Sequence, residues 1–243
     1  MEFPNESAEY RKARELLLVK EIEERRAMEA VASARRALPK GGALKEDYIF
    51  EEIGASGAFV KTRLSELFGP ASDSLIIYNF MFPRDSQDTR PPGTETSTRR
   101  LRLFESPCPS CVALLDQLDG AARHVRHRLN FVVVAKTSAT NLASFGKERG
   151  WRFLRLLSSG GTSFKRDYHG ETASGEQRPM LNVFSRTDGE IRHFWSSELL
   201  YAPADQGQDP RHLGTLEPLW TIFDFTPEGR PSGWEEQLSY PRS

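Results

Sequence analysis

LIIYNFMF at residues 75–82, CPSC at 108–111, VALLDQLDGAARHVRH at 112–127 and LNFVVVAK at 129–136 follow one another along the chain. The first and last are short continuous apolar runs suited to buried strands, whereas the segment after CPSC has helical spacing. The dithiol therefore falls where a strand hands over to a helix. Pro109 suits the first helical position, where its missing N–H costs nothing, and Cys108 then becomes the N-cap. A sulfur there faces the unpaired N–H groups of the first turn and the positive end of the helix dipole, which favours thiolate over thiol. Cys108 is thus the expected nucleophile. Cys111, one turn on and further inside, is placed to resolve a mixed disulfide. Pro109 and Ser110 are supporting residues; Ser110 either adds a hydrogen bond or faces solvent.

Cys108 and Cys111 are the two cysteines of the chain. Random placement would give a spacing of three roughly 1% of the time, so the pairing carries information. A second reading makes the CPSC thiolates soft ligands for copper or zinc, with a distant histidine such as His169 as a third. His124 and His127 also approach a zinc-finger spacing, but the final gap is short. An unbroken helix would carry His124 roughly 20 Å or more from the sulfurs unless Gly120 interrupts it. A third reading is a binding module in which the cysteines are dispensable. The leading reading calls for no metal and no cofactor; its partners are a disulfide-containing protein or a small thiol, with the electron donor left open.

Composition narrows the field. The 243 residues carry 33 Lys+Arg against 34 Asp+Glu, a formal charge of −1, and 38% are apolar. Such a balance argues against a dedicated nucleic-acid binder, whose affinity rests on a concentrated cationic surface. No apolar run approaches the roughly 20 residues of a membrane span. The opening MEFPNESAEYRKAR lacks an apolar signal core, so the expected setting is cytoplasmic, with no membrane partner. G-x-S-x-G, Walker and H-E-x-x-H patterns are absent, and SSGGTS at 158–163 is a flexible turn rather than a phosphate loop.

Working outward, Glu6 to Leu38 reads as a long charged helix with a partial apolar stripe through Leu17, Leu18, Ile22, Met28 and Val31. It packs on one face or bridges two subunits, making it the candidate element for a homo-oligomer. YIFEEIGASGAFVKT predicts a hairpin turning at Gly54 and Gly57. Ala139 to Arg149 predicts a helix and Trp151 to Leu157 a strand. PMLNVF and GEIRHFW flank Asp188-Gly189, a strong hairpin signal, and Leu216 to Phe225 predicts a closing helix. Asp116 and Asp119 follow the CPSC turn on a face expected to be solvated. The resulting organisation is a helical arm at 1–42, an α/β domain at 43–230 and a tail at 231–243. A Pro/Thr/Ser/Arg-rich stretch at 84–103 reads as a mobile insertion entering the domain just before the cysteines.

Strand, CxxC helix, strand, helix, hairpin and last helix, in that order, resemble the thioredoxin fold: a three-layer α/β architecture around a central mixed sheet, here preceded by the long N-terminal helix. That resemblance implies a cis-proline at the start of the hairpin, lying against the reactive sulfur and leaving backbone groups open to a substrate peptide. Pro179 in QRPMLNVF matches the position. Arg178 would then point toward the CPSC mouth and stabilise the Cys108 thiolate. The segments YRKARELLLVKEIEERR, ARRALP, DYIFE, LIIYNFMF, CPSC, FVVVAKTSATNLASFGKERGW and LEPLWTIFDFTPEGR together resemble an uncharacterised bacterial family, domain of unknown function 899. Membership would imply a thioredoxin-like dithiol-disulfide oxidoreductase. Asn79 stands where relatives often carry histidine, and the region from Lys165 to Gln177 departs from the family pattern, so His169 takes no role from it.

Overall fold

The computed structural model describes residues 1–70, 72–94, 97–208, 218, 225 and 232–239. It divides into two compact units, Met1–Gly41 and Gly42–Ser243. The first is built on α1 (Ala8–Arg36), started by Ser7, whose hydroxyl accepts from the Tyr10 N–H at 3.1 Å, and closed by Arg35 and Arg36 in the last turn. Both ends suit the helix dipole. Within this unit none of the helix residues is buried, and Leu16 is 62% exposed.

The second unit is a seven-stranded mixed sheet. Its strands are β1 (Ile49–Ile53), β2 (Phe59–Arg63), β3 (Ser74–Phe80), β4 (Asn130–Ala135), β5 (Arg155–Ser158), β6 (Met180–Thr187) and β7 (Glu190–Ser196). They lie in the order β2-β1-β5-β4-β3-β6-β7. The three central strands β5, β4 and β3 run parallel; β6 pairs antiparallel with β3, and β7 with β6. Parallel neighbours require crossovers, supplied by α2 (Pro109–Val125) between β3 and β4 and by α3 (Ala139–Arg149) between β4 and β5. A short α4 (Phe164–Asp167) precedes the β6–β7 hairpin. Asp188 and Gly189, with φ of 53° and 80°, form the left-handed two-residue turn that a twisted hairpin demands. This is the thioredoxin-like α/β architecture expected of the sequence.

Strand alternation sorts the apolar residues into two cores. Leu75 and Ile77 of β3 join Val132, Val134, Leu157, Phe164 and Phe184 on one face. Tyr78 and Phe80 join Val133, Ala135, Phe145 and the buried side of α2, Leu114, Leu115 and Leu118, on the other. Because β3 is buried on both faces its run from Leu75 to Phe80 is apolar but for Asn79, whose side chain is hydrogen-bonded.

The strand predicted at 151–157 begins four residues late. Asp119 of α2 accepts from the N–H groups of Arg152, Phe153 and Leu154 at 2.9, 2.8 and 3.1 Å, removing those donors from any ladder. Asp116 takes the Trp151 indole N–H at 2.8 Å and pairs with Arg149. The two aspartates thus staple α2 to the turn after α3 rather than facing solvent alone. The helix predicted at 216–225 lies outside the described residues, Pro218 and Phe225 excepted.

Candidate active site

The CPSC turn sits at the carboxyl end of β3, where open α/β sheets place ligands. Cys108 donates its backbone N–H to the Met81 carbonyl at 2.9 Å, so the dithiol is hung on the residue that follows the strand. Cys108 is the N-cap of α2, in extended conformation, and Pro109 is the first helical residue. Cys111 follows on the first turn. Both cysteines are free thiols, and both are covered: Cys108 is 1% exposed and Cys111 2%. Burial of Cys111 was expected; that of Cys108 was not.

The cover comes from two segments. Arg90, from the stretch read as a mobile insertion, places Nη2 3.6 Å from the Cys108 sulfur and donates from Nη1 to Ser110 Oγ at 2.8 Å. Ser110 in turn donates to the Glu236 carboxylate at 3.0 Å, and Arg90 reaches the Glu236 carbonyl at 3.3 Å. Leu238, two residues on, is part of the core beneath. Asp88 holds the Arg90 guanidinium in a two-point ion pair, Nε–Oδ1 and Nη2–Oδ2 both 2.9 Å. Arg84 is buried, and its Nη1 donates to the Arg90 carbonyl at 2.6 Å. Arg84, Asp88 and Arg90 are therefore packed into the site, while Ser86, Gln87 and Thr89 between them are exposed.

These neighbours split the two thiols. The Cys111 thiol and amide, both turned toward the Cys108 sulfur, hold its pKa below the ordinary thiol value against the cost of burial, and the Arg90 charge adds to them. No N–H of the first turn makes a full capping bond to that sulfur. Burial, followed by the adjoining Cys108 sulfur, pushes Cys111 well above the ordinary value, although the Tyr78 hydroxyl and Met81 amide oppose the shift. Cys108 is thus the more readily ionised thiol of the pair and Cys111 the one that holds its proton more firmly.

Over residues 1–242 the sequence matches a family described as bacterial protein of unknown function, DUF899. The chain belongs to that family. A comparison with curated proteins gives no match. Among solved structures, the DUF899 chain is similar to reduced Prx3 of Vibrio vulnificus in complex with hydrogen peroxide. There the identity is 15%, the TM-score 0.42, and the match covers 71% of this chain and 92% of that one. A cysteine-to-serine mutant of PrxQ from Xylella fastidiosa gives 11% identity and a TM-score of 0.44, over 76% and 97% of the two chains. A peroxiredoxin-like protein from Aquifex aeolicus gives 12% and 0.40, over 65% and 75%.

The structure brings Cys108, Pro109, Ser110 and Cys111 together but treats Pro179 and Arg178 differently from the expectation. Among the described residues the cis peptide is Phe82–Pro83, so Arg178–Pro179 is trans. Nor is the backbone there open to a substrate strand: Tyr201 donates its hydroxyl to the Pro179 carbonyl at 2.7 Å, and the Arg178 N–H is taken by the Gly170 carbonyl at 3.0 Å. The Arg178 guanidinium lies 5.1 Å from the centre of the Tyr201 ring. The cation beside Cys108 is Arg90.

Among the described residues the metal alternative also finds no third ligand. α2 runs unbroken through Gly120, carrying His124 away from the sulfurs, and His169 influences His193 instead. Among the described residues no three His, Cys, Asp or Glu side chains converge to hold an ion. No helix there is long and apolar enough to cross a membrane.

Sequence reasoning missed Arg90, Arg84, Glu236 and Lys165. The signal for Arg90 was the crowding of arginines immediately upstream of a dithiol. Lys165, on α4, is 1% exposed, and its Nζ donates to the Phe80 carbonyl at the end of β3, 2.9 Å away. Asn79, one residue earlier, donates to the Met180 carbonyl at 3.1 Å. Gly170 packs so closely on Asn79 that a Cβ there would stand 2.6 Å from its side chain.

Proposed function

We propose that this chain is a thiol-disulfide oxidoreductase in which Cys108 attacks and Cys111 resolves. The observation that carries the reading is the placement of two free thiols on one helical turn, Cys108 at the N-cap of α2 with Arg90 Nη2 3.6 Å from its sulfur and Cys111 on the first turn. Cys108 thiolate attacks a disulfide, forming a mixed disulfide and releasing one thiolate of the substrate. Cys111 then loses its proton and displaces the second substrate thiolate, closing a Cys108–Cys111 disulfide. The substrate gains two electrons and the protein loses two; an external thiol donor returns them in the reverse exchange.

Arg90 has two roles in this scheme. Its charge favours the Cys108 anion, and its links to Ser110 and Glu236 close the site in the reduced protein. A substrate disulfide gains access by displacing Arg90 together with residues 235–238. The Cys111→Ser variant tests the scheme. After exposure to an oxidised small thiol, such as glutathione disulfide, it is expected to accumulate a mixed disulfide on Cys108, whereas the native chain accumulates an internal disulfide. Equal inertness of both chains would refute the scheme.

A further inference from the structure

The mouth of the CPSC turn already holds a carboxylate. Glu236 is buried; its Oε2 accepts from Ser110 Oγ at 3.0 Å and lies 3.6 Å from Arg90 Nη1. Asp88 occupies Nε and Nη2 of the same guanidinium, which leaves Nη1 to face Ser110 and Glu236. Nη2 is the arm beside the Cys108 sulfur. Carboxylate and sulfur therefore stand at the two terminal nitrogens of one planar cation, a fork suited to two anionic groups at once. Glu235 approaches Nε at 3.7 Å from a largely exposed position. Side chains hold the segment in place: Ser110 and Arg90 at Glu236, Arg149 Nη1 at the Leu238 carbonyl, 2.8 Å away, and the Ser239 hydroxyl at the Thr94 N–H, 3.0 Å away.

Whatever reaches Cys108 must lift this segment away, and it then leaves the Ser110 hydroxyl and Arg90 Nη1 without their acceptor. An uncharged substrate cannot replace it, and unpaired polar groups at a reacting centre are costly. We propose that the site selects disulfides carrying a carboxylate beside the sulfur bridge, with Glu236 standing in for that carboxylate in the reduced protein. The inference rests on the dithiol-exchange reading and names its substrate class. As Arg90 and residues 235–238 move off the sulfur, the substrate carboxylate takes over the contacts that Glu236 gives up. The exchange balances: the Cys108 thiolate bonds to one substrate sulfur, the substrate S–S bond breaks, and the first mercaptocarboxylate departs with the electron pair and takes a proton from solvent. The half left on Cys108 keeps its carboxylate on Ser110 and Arg90. Cys111 then loses its proton to solvent, bonds to the Cys108 sulfur and expels the second mercaptocarboxylate. The substrate gains two electrons and the dithiol loses two.

The experiment follows loss of the Cys108 thiol in the native chain with three symmetrical disulfides: dithiodipropionate, which is anionic, hydroxyethyl disulfide, which is neutral, and cystamine, which is cationic. Dividing each rate by that of free mercaptoethanol with the same disulfide removes intrinsic reactivity. The acid disulfide is expected to lead the neutral one by about 10-fold, the scale of one charged hydrogen bond, with cystamine slowest. In Glu236→Gln, which removes the resident charge and keeps the side-chain size, that lead should widen severalfold. A lead left unchanged, or a gain shared equally by all three, would reduce Glu236 to a cover and overturn the proposal while leaving exchange intact. A native chain inert to all three would overturn the exchange reading itself. Should the variant fail to fold, the native ranking decides, since absence of a lead for the acid disulfide overturns the proposal without it. A peptide disulfide with Glu before and Leu after its cysteine identifies the source of the carboxylate. Saturation at a lower concentration than dithiodipropionate assigns it to a peptide that also replaces Leu238, and saturation at the same or a higher one assigns it to a small acid.

Discussion

Replacing Arg90 by Met would remove a cation whose Nη2 lies 3.6 Å from the Cys108 sulfur. A hydrogen bond to a charged group contributes about 1.5–3 kcal/mol net. The bare Coulomb attraction at that distance, about 5 kcal/mol at an effective dielectric of 20, is an upper bound. Asp88, whose negative charge acts against the thiolate, offsets part of it. With each 1.4 kcal/mol worth a factor of ten, the thiolate fraction near neutral pH should fall about 10- to 100-fold. The assay is alkylation of Cys108 by iodoacetamide across a pH series, with the modified site assigned by mass spectrometry. Losing Arg90 also opens the site, so the high-pH plateau, where Cys108 is ionised in either chain, should rise while the neutral-pH rate falls. The two effects separate because one sets the plateau and the other the inflection. An inflection left where it was, with the plateau alone changed, would refute the electrostatic role of Arg90.

Other consequences are as direct. Glu236→Ala removes the acceptor that ties Ser110 to residues 235–238, so alkylation of Cys108 at alkaline pH should accelerate severalfold with little change in its inflection. Asp119→Ala strips three N–H groups of their acceptor and should lower stability to urea by about 1–3 kcal/mol, without altering Cys108 reactivity. Gly170→Ala forces a methyl against Asn79 and should cost about 1–3 kcal/mol through overpacking. Stability should also depend on Lys165. Its folded pKa, about 7, lies below the ordinary 10.5, so between those values the unfolded chain binds the extra proton and unfolding free energy rises with pH. Urea midpoints measured from pH 7 to 10 should climb in the native chain, and Lys165→Met should lack that component.

Local chemistry was legible in the sequence wherever a few adjacent residues decide the backbone. Pro109 after Cys108 marks the start of α2, Asp188-Gly189 marks the hairpin, and the spacing from Ala139 to Arg149 marks α3. The groups that give the dithiol its character are not local. Arg90 reaches Cys108 across 18 positions and Glu236 reaches Ser110 across 126. A Pro- and Thr-rich composition says that such a stretch lacks its own core, not that it folds onto another. The late start of β5 has the same origin, since one aspartate on α2 claims the amides the strand would have used. Lys165 was illegible for a different reason: lysine is so seldom fully buried that a single one in an irregular segment is read as surface. Pro179 and Arg178 were placed by analogy of order, and Tyr201 folds back to occupy the groups that analogy left open.

The central claim is that Cys108 and Cys111 exchange together as a two-electron pair. Equilibrating the reduced chain with glutathione buffers of graded potential, then quenching in acid and mapping the thiols by mass spectrometry, tests it most directly. The account predicts that both thiols disappear over one transition into a single Cys108–Cys111 disulfide and return on reversal. Two thiols that persist at the most oxidising potential, or a glutathione adduct on Cys108 that never passes to Cys111, would contradict it.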